Sequence, residues 1–311
     1  MTELAALAAK VAALWGDISE PPRLVVAREN AVFDIRFKSG ERGALRLHRA
    51  GYQTVEGILS ELRWMERLAD AGFRCPTPMR TLRGELVVAG DGDPAASVIR
   101  WIEADPIGAM GVPYAATPET YHTVGGLIGD LHRLTDGLDL SGIKRRSWCQ
   151  EALLGDAPDW GRFWENPALT PPEQDLLQNA RRQAANRLSE MNEPDVGLIH
   201  ADVLQENILS NEDGLWLIDF DDAGVGYRLY DLGTALIQHI HDDRYDEIAD
   251  ALAQGYSQTR QKDVYANDLH LFTVLRGLAS CGWIMSRAAP DDPRQKAYAD
   301  RAVYLASRFL D

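Results

Sequence analysis

GLIHADVLQENILSNEDGLWLIDFDDAG, residues 197–224, decides the reading of this 311-residue chain. An apolar run, Leu198-Ile199, is broken by His200-Ala201-Asp202 and resumes at Asn207-Ile208-Leu209. The turn Asn211-Glu212-Asp213-Gly214 then leads into Leu215-Trp216-Leu217-Ile218 and an acidic end, Asp219-Phe220-Asp221-Asp222. Two short apolar runs around such a turn predict a β-hairpin. With 212–214 as a three-residue loop and Gly214 left-handed, Asn207 falls opposite Asp219, where cross-strand Cβ atoms stand about 4.5–5.5 Å apart. An amide oxygen and a carboxylate so placed can share one hard cation such as Mg2+. Asp202, on the loop entering the hairpin, is placed to accept a proton from a hydroxyl.

Outward from this stretch the chain changes character. Short β-prone runs fill the first hundred residues: RLVVA (23–27), AVFDIRF (31–37), GALRLH (43–48), ELVVAG (85–90) and SVIRWIEA (97–104). They are interrupted by one amphipathic helical stretch at 54–72 and preceded by a short one near the N-terminus. Beyond Asp105-Pro106 the pattern is helical, at 117–138, 171–191, 244–259, 267–287 and 293–310. This segregation predicts an α+β protein with a β-rich part over 1–100, a helical part over 107–311, and a hinge at 97–106. Clefts between two such lobes are favoured ligand sites.

Lys+Arg is 32 against Asp+Glu 47, a net charge of −15. A field of that sign repels phosphate backbones and anionic lipid, so nucleic-acid and membrane-surface partners are disfavoured and cationic small molecules are compatible. Cys75, Cys149 and Cys281 lie far apart with no ligand spacing, which fits a reducing cytoplasm. The N-terminus lacks the pattern of a signal peptide, and no window is long and apolar enough to span a bilayer. Oligomeric state is not legible.

The set His200-x-Asp202-x-x-x-x-Asn207 with Ile218-Asp219-Phe220 resembles the catalytic segment of the kinase fold. More specifically it resembles that of the aminoglycoside phosphotransferase family, which includes choline and homoserine kinase-like enzymes. GYRLYDLG (226–233) matches the family's Tyr-Asp-Leu, and VGGLIGDLHRL (124–134) its helix ending in Leu-His. ENAVFDI (29–35), ALRLHR (44–49) and SELRWMERL (60–68) match its nucleotide loop, third strand and following helix. Residues 140–195 and the last 60 residues match only as helices. There is no GxxxxGK[ST] or GxSxG elsewhere.

That resemblance implies a bilobal protein-kinase-like fold with a small β-rich N-lobe and a larger helical C-lobe. It implies an ATP-dependent phosphotransferase in which Asp202 accepts the acceptor's proton and Asn207 and Asp219 hold Mg2+. Arg46 stands where the family has a lysine, with Glu61 as its partner. The glycine-rich loop is replaced by Ala27-Arg28-Glu29-Asn30, so backbone amides and Asn30 would cover the phosphates. Adenine would pair with backbone groups at Arg100, Trp101 and Ile102. Only twelve positions separate Asp219 from Asp231 and no Ala-Pro-Glu follows, which argues against a protein substrate and for a small-molecule hydroxyl acceptor.

An amino alcohol or a hydroxy amino acid such as homoserine is the expected acceptor. The alternatives are an aminoglycoside phosphotransferase, an inactive kinase-like scaffold suggested by the missing lysine and glycines, and a metal-dependent hydrolase. The hydrolase would need further ligands, and His239 and His241 read instead as surface helix residues. Asp231 reads as a holder of backbone, His200 as a packing residue and His132 as a core histidine. Acids at Asp221, Asp222 and 242–247 are candidates to meet an ammonium group or simply face water. Arg276, amid apolar helix neighbours, is costly unless paired, and reads as a clamp for an acceptor carboxylate or as half of an internal pair.

Overall fold

A computed structural model describes residues 2–27, 30–89, 93–109 and 116–311. Arg28 and Glu29, the middle of the expected phosphate loop, and Gly90, at the end of one expected strand, lie outside the described residues. The chain opens with helix α1 (Thr2–Ala12) and strands β1 (Arg23–Ala27), β2 (Asn30–Arg36) and β3 (Arg42–His48). Helix α2 (Val55–Asp70) and strands β4 (Pro78–Met79), β5 (Val87–Val88), β6 (Ala96–Arg100) and β7 (Asp105–Pro106) follow. Next come α3 (Pro118–Asp136), β8 (Arg146–Trp148), α4 (Gln150–Leu154), α5 (Pro171–Glu190) and β9 (Val196–Ile199). The hairpin β10 (Ile208–Asn211) and β11 (Gly214–Leu217) leads to β12 (Gly224–Tyr227), α6 (Leu229–Leu236), α7 (Tyr245–Arg260), α8 (Ala266–Trp283) and α9 (Pro293–Leu310).

These elements fall into two compact units. One holds Met1–Asp105, Gly137–Arg145 and Leu209–Asp221; the other holds Pro106–Asp136, Arg146–Ile208 and Asp222–Asp311. The chain therefore passes between units repeatedly, whereas the sequence offered a single passage at 97–106. Residues 137–145 and 209–221 are joined to the first unit by polar bonds from Arg145, described below, and by Phe220, edge-on to Trp64 at 5.3 Å.

In the first unit an antiparallel sheet runs β1-β2-β3-β6-β4, with β5 also on β6. Alternation along β2 and β3 places Phe33, Ile35, Leu45 and Leu47 in one core, which α1 covers with Ala8, Val11 and Ala12. Trp15 joins them and donates from its indole nitrogen to the Met79 carbonyl at 2.8 Å. The run at 97–104 continues as a strand only to Arg100. Helix α2 is capped by Thr54, whose hydroxyl accepts from the Gly57 N–H at 3.0 Å. It buries Ile58, Leu62, Trp64, Met65 and Leu68, each worth roughly 1.5–3 kcal/mol on transfer from water. Glu61 sits on the same buried face.

The second unit is built on helices. α3 and α7 pack backbone to backbone: a Cβ on Gly125 would lie 2.1 Å from the Leu252 carbonyl oxygen, and one on Gly255 would lie 1.9 Å from that of His122. The glycines in VGGLIGDLHRL thus permit a close helix contact. A three-stranded sheet, β8-β12-β9, pairs β12 antiparallel to β9 and parallel to β8. α8 runs through the main core with Phe272, Val274, Leu275 and Leu278 buried, against α9 residues Ala302, Leu305 and Ala306. Arg276 lies in the middle of that apolar helix.

Candidate active site

Strand β9 delivers the chain to His200-Ala201-Asp202 in the second unit. Ala201 takes φ 66°, a left-handed conformation that costs a non-glycine residue on the order of 1 kcal/mol or more. Asp231 holds it there: one carboxylate oxygen accepts the His200 N–H at 2.9 Å, the other the Ala201 N–H at 2.6 Å. His132 Nε2 stands 3.0 Å from the first oxygen, and its Nδ1 is 2.9 Å from the Tyr256 hydroxyl. Burial pushes His132 down to about 4, so it is neutral and gives its one N–H to Asp231. Burial also pushes the Asp231 carboxyl up, but His132 and the backbone donors bring it below its ordinary value. Asp231 and His132 therefore build the loop and do not react.

The loop presents Asp202. Arg276 Nη2 donates to its Oδ1 at 2.7 Å, and Asn207 Nδ2 donates to its Oδ2 at 2.8 Å and to its carbonyl at 2.9 Å. Its own N–H donates to His200 Nδ1 at 3.2 Å, which gives His200 its role. Burial drives the Asp202 carboxyl up, Arg276 pulls it back, and Asp222 and Glu206 push it up again, leaving it at about 7. The side chain keeps 20% of its surface open, so it is both fixed and reachable. The Asn207 nitrogen is committed to Asp202, so its amide oxygen is the atom it could offer a cation. An oxygen is what a hard cation takes.

The expected loop of the hairpin is corrected. Glu212 and Asp213 alone form the turn, because Asn211 Oδ1 accepts the Asp213 N–H at 3.0 Å and closes it one residue early. Gly214 has the expected positive φ, +115°. The paired strands span Ile208–Asn211 and Gly214–Leu217, so Asn207, in a 3-10 turn, and Asp219 lie beyond the ladder and are not cross-strand neighbours.

In the first unit, Arg46 faces α2 and donates to Glu61 Oε1, both side chains buried. Burial lowers the Arg46 pKa, but Glu61 and Asp221, with Asp219 beyond, raise it above its usual value. Glu61 is held below the carboxylate range against burial by Arg46 and Arg145, the latter at 3.9 Å. His48 beside them is pushed down to about 3 by burial and Arg46; it stays neutral, 2.8 Å from Ser97 Oγ. The segment 219–221 is held to the same helix. Arg145 donates to the Gly57 carbonyl at 2.8 Å, to Gln53 Oε1 at 3.1 Å, and to the carbonyls of Phe220 and Asp221 at 3.2 and 2.5 Å. Gln53 Nε2 donates to Asp221 Oδ1 at 2.9 Å, and Asn30 Nδ2 reaches Oδ2 at 3.4 Å. Asp219 itself has φ 65°, a second strained non-glycine position.

Several expectations shift. The N–H groups of Arg100 and Trp101 are committed to the carbonyls of Thr77 and Arg42 at 2.8 and 3.0 Å, leaving Ile102 as the one whose N–H has no partner among the described residues. Asp221 is a structural acceptor and not an open carboxylate. Asp243, Asp246 and Glu247 are exposed. His239 is no surface helix residue; it is buried against the Tyr121 hydroxyl. Arg276 is an internal partner of Asp202. Arg145 and Gln53 escaped the sequence reading, because Lys144-Arg145-Arg146 looks like a solvated basic run.

The sequence profile of the phosphotransferase enzyme family, APH, matches residues 24–266. This chain belongs to that family. Among relatives, amicoumacin kinase of Bacillus subtilis (strain 168) is 23% identical over 270 residues, covering 82% of this chain and 76% of that one. Homoserine kinase of Methylobacillus glycogenes is 24% identical over 188 residues, 59% of this chain and 53% of that one. Among solved structures, a microcompartment-associated aminopropanol kinase is 28% identical, with TM-score 0.83 over 98% and 97% of the two chains. An amicoumacin kinase in complex with AMP-PNP, Ca2+ and Ami shares the fold at 18% identity, with TM-score 0.75 over 97% and 96%. The chain is thus a small-molecule kinase of the APH family, with the α+β architecture of kinase-like folds. Among the described residues no helix is long and apolar enough to cross a membrane.

Proposed function

We propose that this APH-family enzyme transfers the γ-phosphoryl group of ATP to the hydroxyl of a small amine-bearing alcohol, an amino alcohol or a hydroxy amino acid. The observation that carries the reading is the seat of Asp202: a partly buried but reachable carboxylate with a pKa of about 7, oriented by Asn207 and Arg276 on a loop fixed by Asp231. Such a group can orient a hydroxyl and take up its proton as the O–P bond forms. Likeness to an aminopropanol kinase over nearly the whole chain, and to homoserine kinase over part of it, supports the acceptor class.

In this reading Arg46, kept cationic by Glu61, neutralises phosphate charge, while Asn30 and the adjoining backbone cover the phosphates. Adenine pairs with backbone at the end of β6, through Ile102 and the carbonyls of Arg100 and Trp101. Asn207 and Asp219 supply oxygens to Mg2+, which when bound neutralises charge on the phosphates. Arg145 holds Asp219's segment to the helix that carries Glu61. The likeness to amicoumacin kinase favours a second acceptor, an antibiotic of that kind, which belongs in the same assay.

The test is ADP release with Mg2+ and ATP over homoserine, serine, threonine, 3-amino-1-propanol, ethanolamine, choline, kanamycin and amicoumacin, with the product identified by phosphorus NMR. A phosphomonoester of one of the small amines is the expected result. Turnover confined to kanamycin or amicoumacin overturns the acceptor class. No turnover on any hydroxyl compound overturns the reading.

A further inference from the structure

Arg276 spends only Nη2 on Asp202. Its Nε and Nη1 are buried and meet no hydrogen-bond partner among the described residues. The same holds for the indole N–H of Trp160, over whose ring the Arg276 guanidinium sits at 5.0 Å, while the hydroxyl of Tyr230 interacts with that guanidinium from beside it. Trp148 joins the group, stacking on Tyr230 at 5.6 Å and meeting Trp160 edge-on at 4.7 Å. A buried donor left unpaired is costly, and the three of Arg276 and Trp160, so close together, call for an acceptor such as an anion. One acceptor is orphaned in the same neighbourhood: Glu206 Oε1, whose other oxygen takes a bond from Gln238 at 2.9 Å. Glu206 acts electrostatically on Asp202 and on Arg301, and Arg301 on Arg276. Arg276 is paired with Asp202, and Arg146 lies 3.4 Å from Asp222.

We propose that Arg276, Trp160 and Tyr230 form an anion-receiving subsite beside Asp202 that binds the carboxylate of the acceptor, with Glu206 meeting its ammonium group, so that the enzyme selects a hydroxy amino acid over the corresponding amino alcohol. Nη2 of Arg276 holds the base while Nε and Nη1 hold the acceptor, which ties the distance between carboxylate and hydroxyl to the geometry of one side chain. This assignment rests on the small-amine reading above and narrows it.

Matched pairs that differ only in the carboxylate test it: homoserine against 3-amino-1-propanol, serine against ethanolamine, threonine against 1-amino-2-propanol. The member with the carboxylate is expected to show a kcat/KM about 10- to 100-fold higher in at least one pair, the value of a hydrogen bond to a charged group. Trp160→Phe keeps the ring and leaves Asp202 untouched. It is expected to raise KM for the carboxylated member several-fold, with kcat and the decarboxylated member little changed. Arg276→Met lowers kcat for both members, through Asp202, and in addition collapses their ratio towards one. Preference for the amino alcohols, or a ratio unchanged in Trp160→Phe and Arg276→Met, overturns the subsite and leaves the kinase reading standing. Turnover of neither member in any pair overturns the small-amine reading itself.

Discussion

Glu61, buried in the first unit, and Asp202, partly buried in the second, are each bonded to a buried arginine, yet they are driven to opposite sides of their ordinary pKa. Burial pushes both up. Around Glu61 stand two cations, Arg46 and Arg145, and together they bring it below the carboxylate range. Around Asp202 stands Arg276, but Asp222 and Glu206 add to the effect of burial, and the result is about 7. The balance of neighbouring charge, rather than the presence of a partner, separates a fixed anion from a group able to take up and release a proton. Glu61 holds Arg46 in place. Asp202 is the group proposed to react.

Glu61→Gln attacks that comparison hardest. It strands Arg46 and Arg145 without their counter-charge, and the expected loss is about 3–5 kcal/mol of stability by urea unfolding. A loss under about 1 kcal/mol would mean that Glu61 is not the charge that anchors them. Asp231→Asn comes next. The amide cannot accept both backbone N–H groups and His132 as an anion does, so Ala201 loses its support. A destabilisation of about 2–3 kcal/mol and a fall in kcat of at least tenfold are expected. Unchanged kcat would refute the claim that Asp231 sets Asp202's position.

A third carboxylate, Asp34, extends the comparison to pH. Hydrogen bonds from Arg42, opposed by burial and aided by Arg23, lower it from 3.8 to about 2. Its folded pKa is depressed, so its contribution is complete above pH 3.8 and fades as pH falls towards 2. Arg42→Gln should cost about 1–2 kcal/mol at pH 6 and flatten the loss of stability between pH 4 and 2. Parallel pH–stability curves for the two proteins would contradict this. The smallest effect belongs to Arg46→Lys. A lysine keeps the charge and removes the unpartnered Nε. The KM for ATP should change only a few-fold, against tenfold or more in Arg46→Ala. Equal, normal KM values in both variants would take Arg46 out of the nucleotide site.

The order of strands and helices was legible because the large apolar residues of β2, β3 and α2 recur in simple periods, as at Phe33 and Ile35, Leu45 and Leu47, and Ile58, Leu62 and Met65. So was the seat of Asp202, since His200, Asp202, Asn207 and Asp231 fall at fixed spacings on one loop and one helix. What periodicity cannot show is polar tertiary contact. Arg145 reads as solvated and is buried, and Asn211 shortens a turn by accepting a single N–H. Arg276 did announce itself as an expensive charge, but the chain alone could not say that its partner would be Asp202.

The most direct test is kcat measured together with ATP affinity and stability in Asp202→Asn. The substitution keeps the shape and removes the group that takes the proton. A fall in kcat of roughly 10²–10⁴ is expected while ATP affinity stays within a few-fold and the protein remains folded, with a loss of stability from the unpaired Arg276. Retention of more than about half of the wild-type turnover would contradict it.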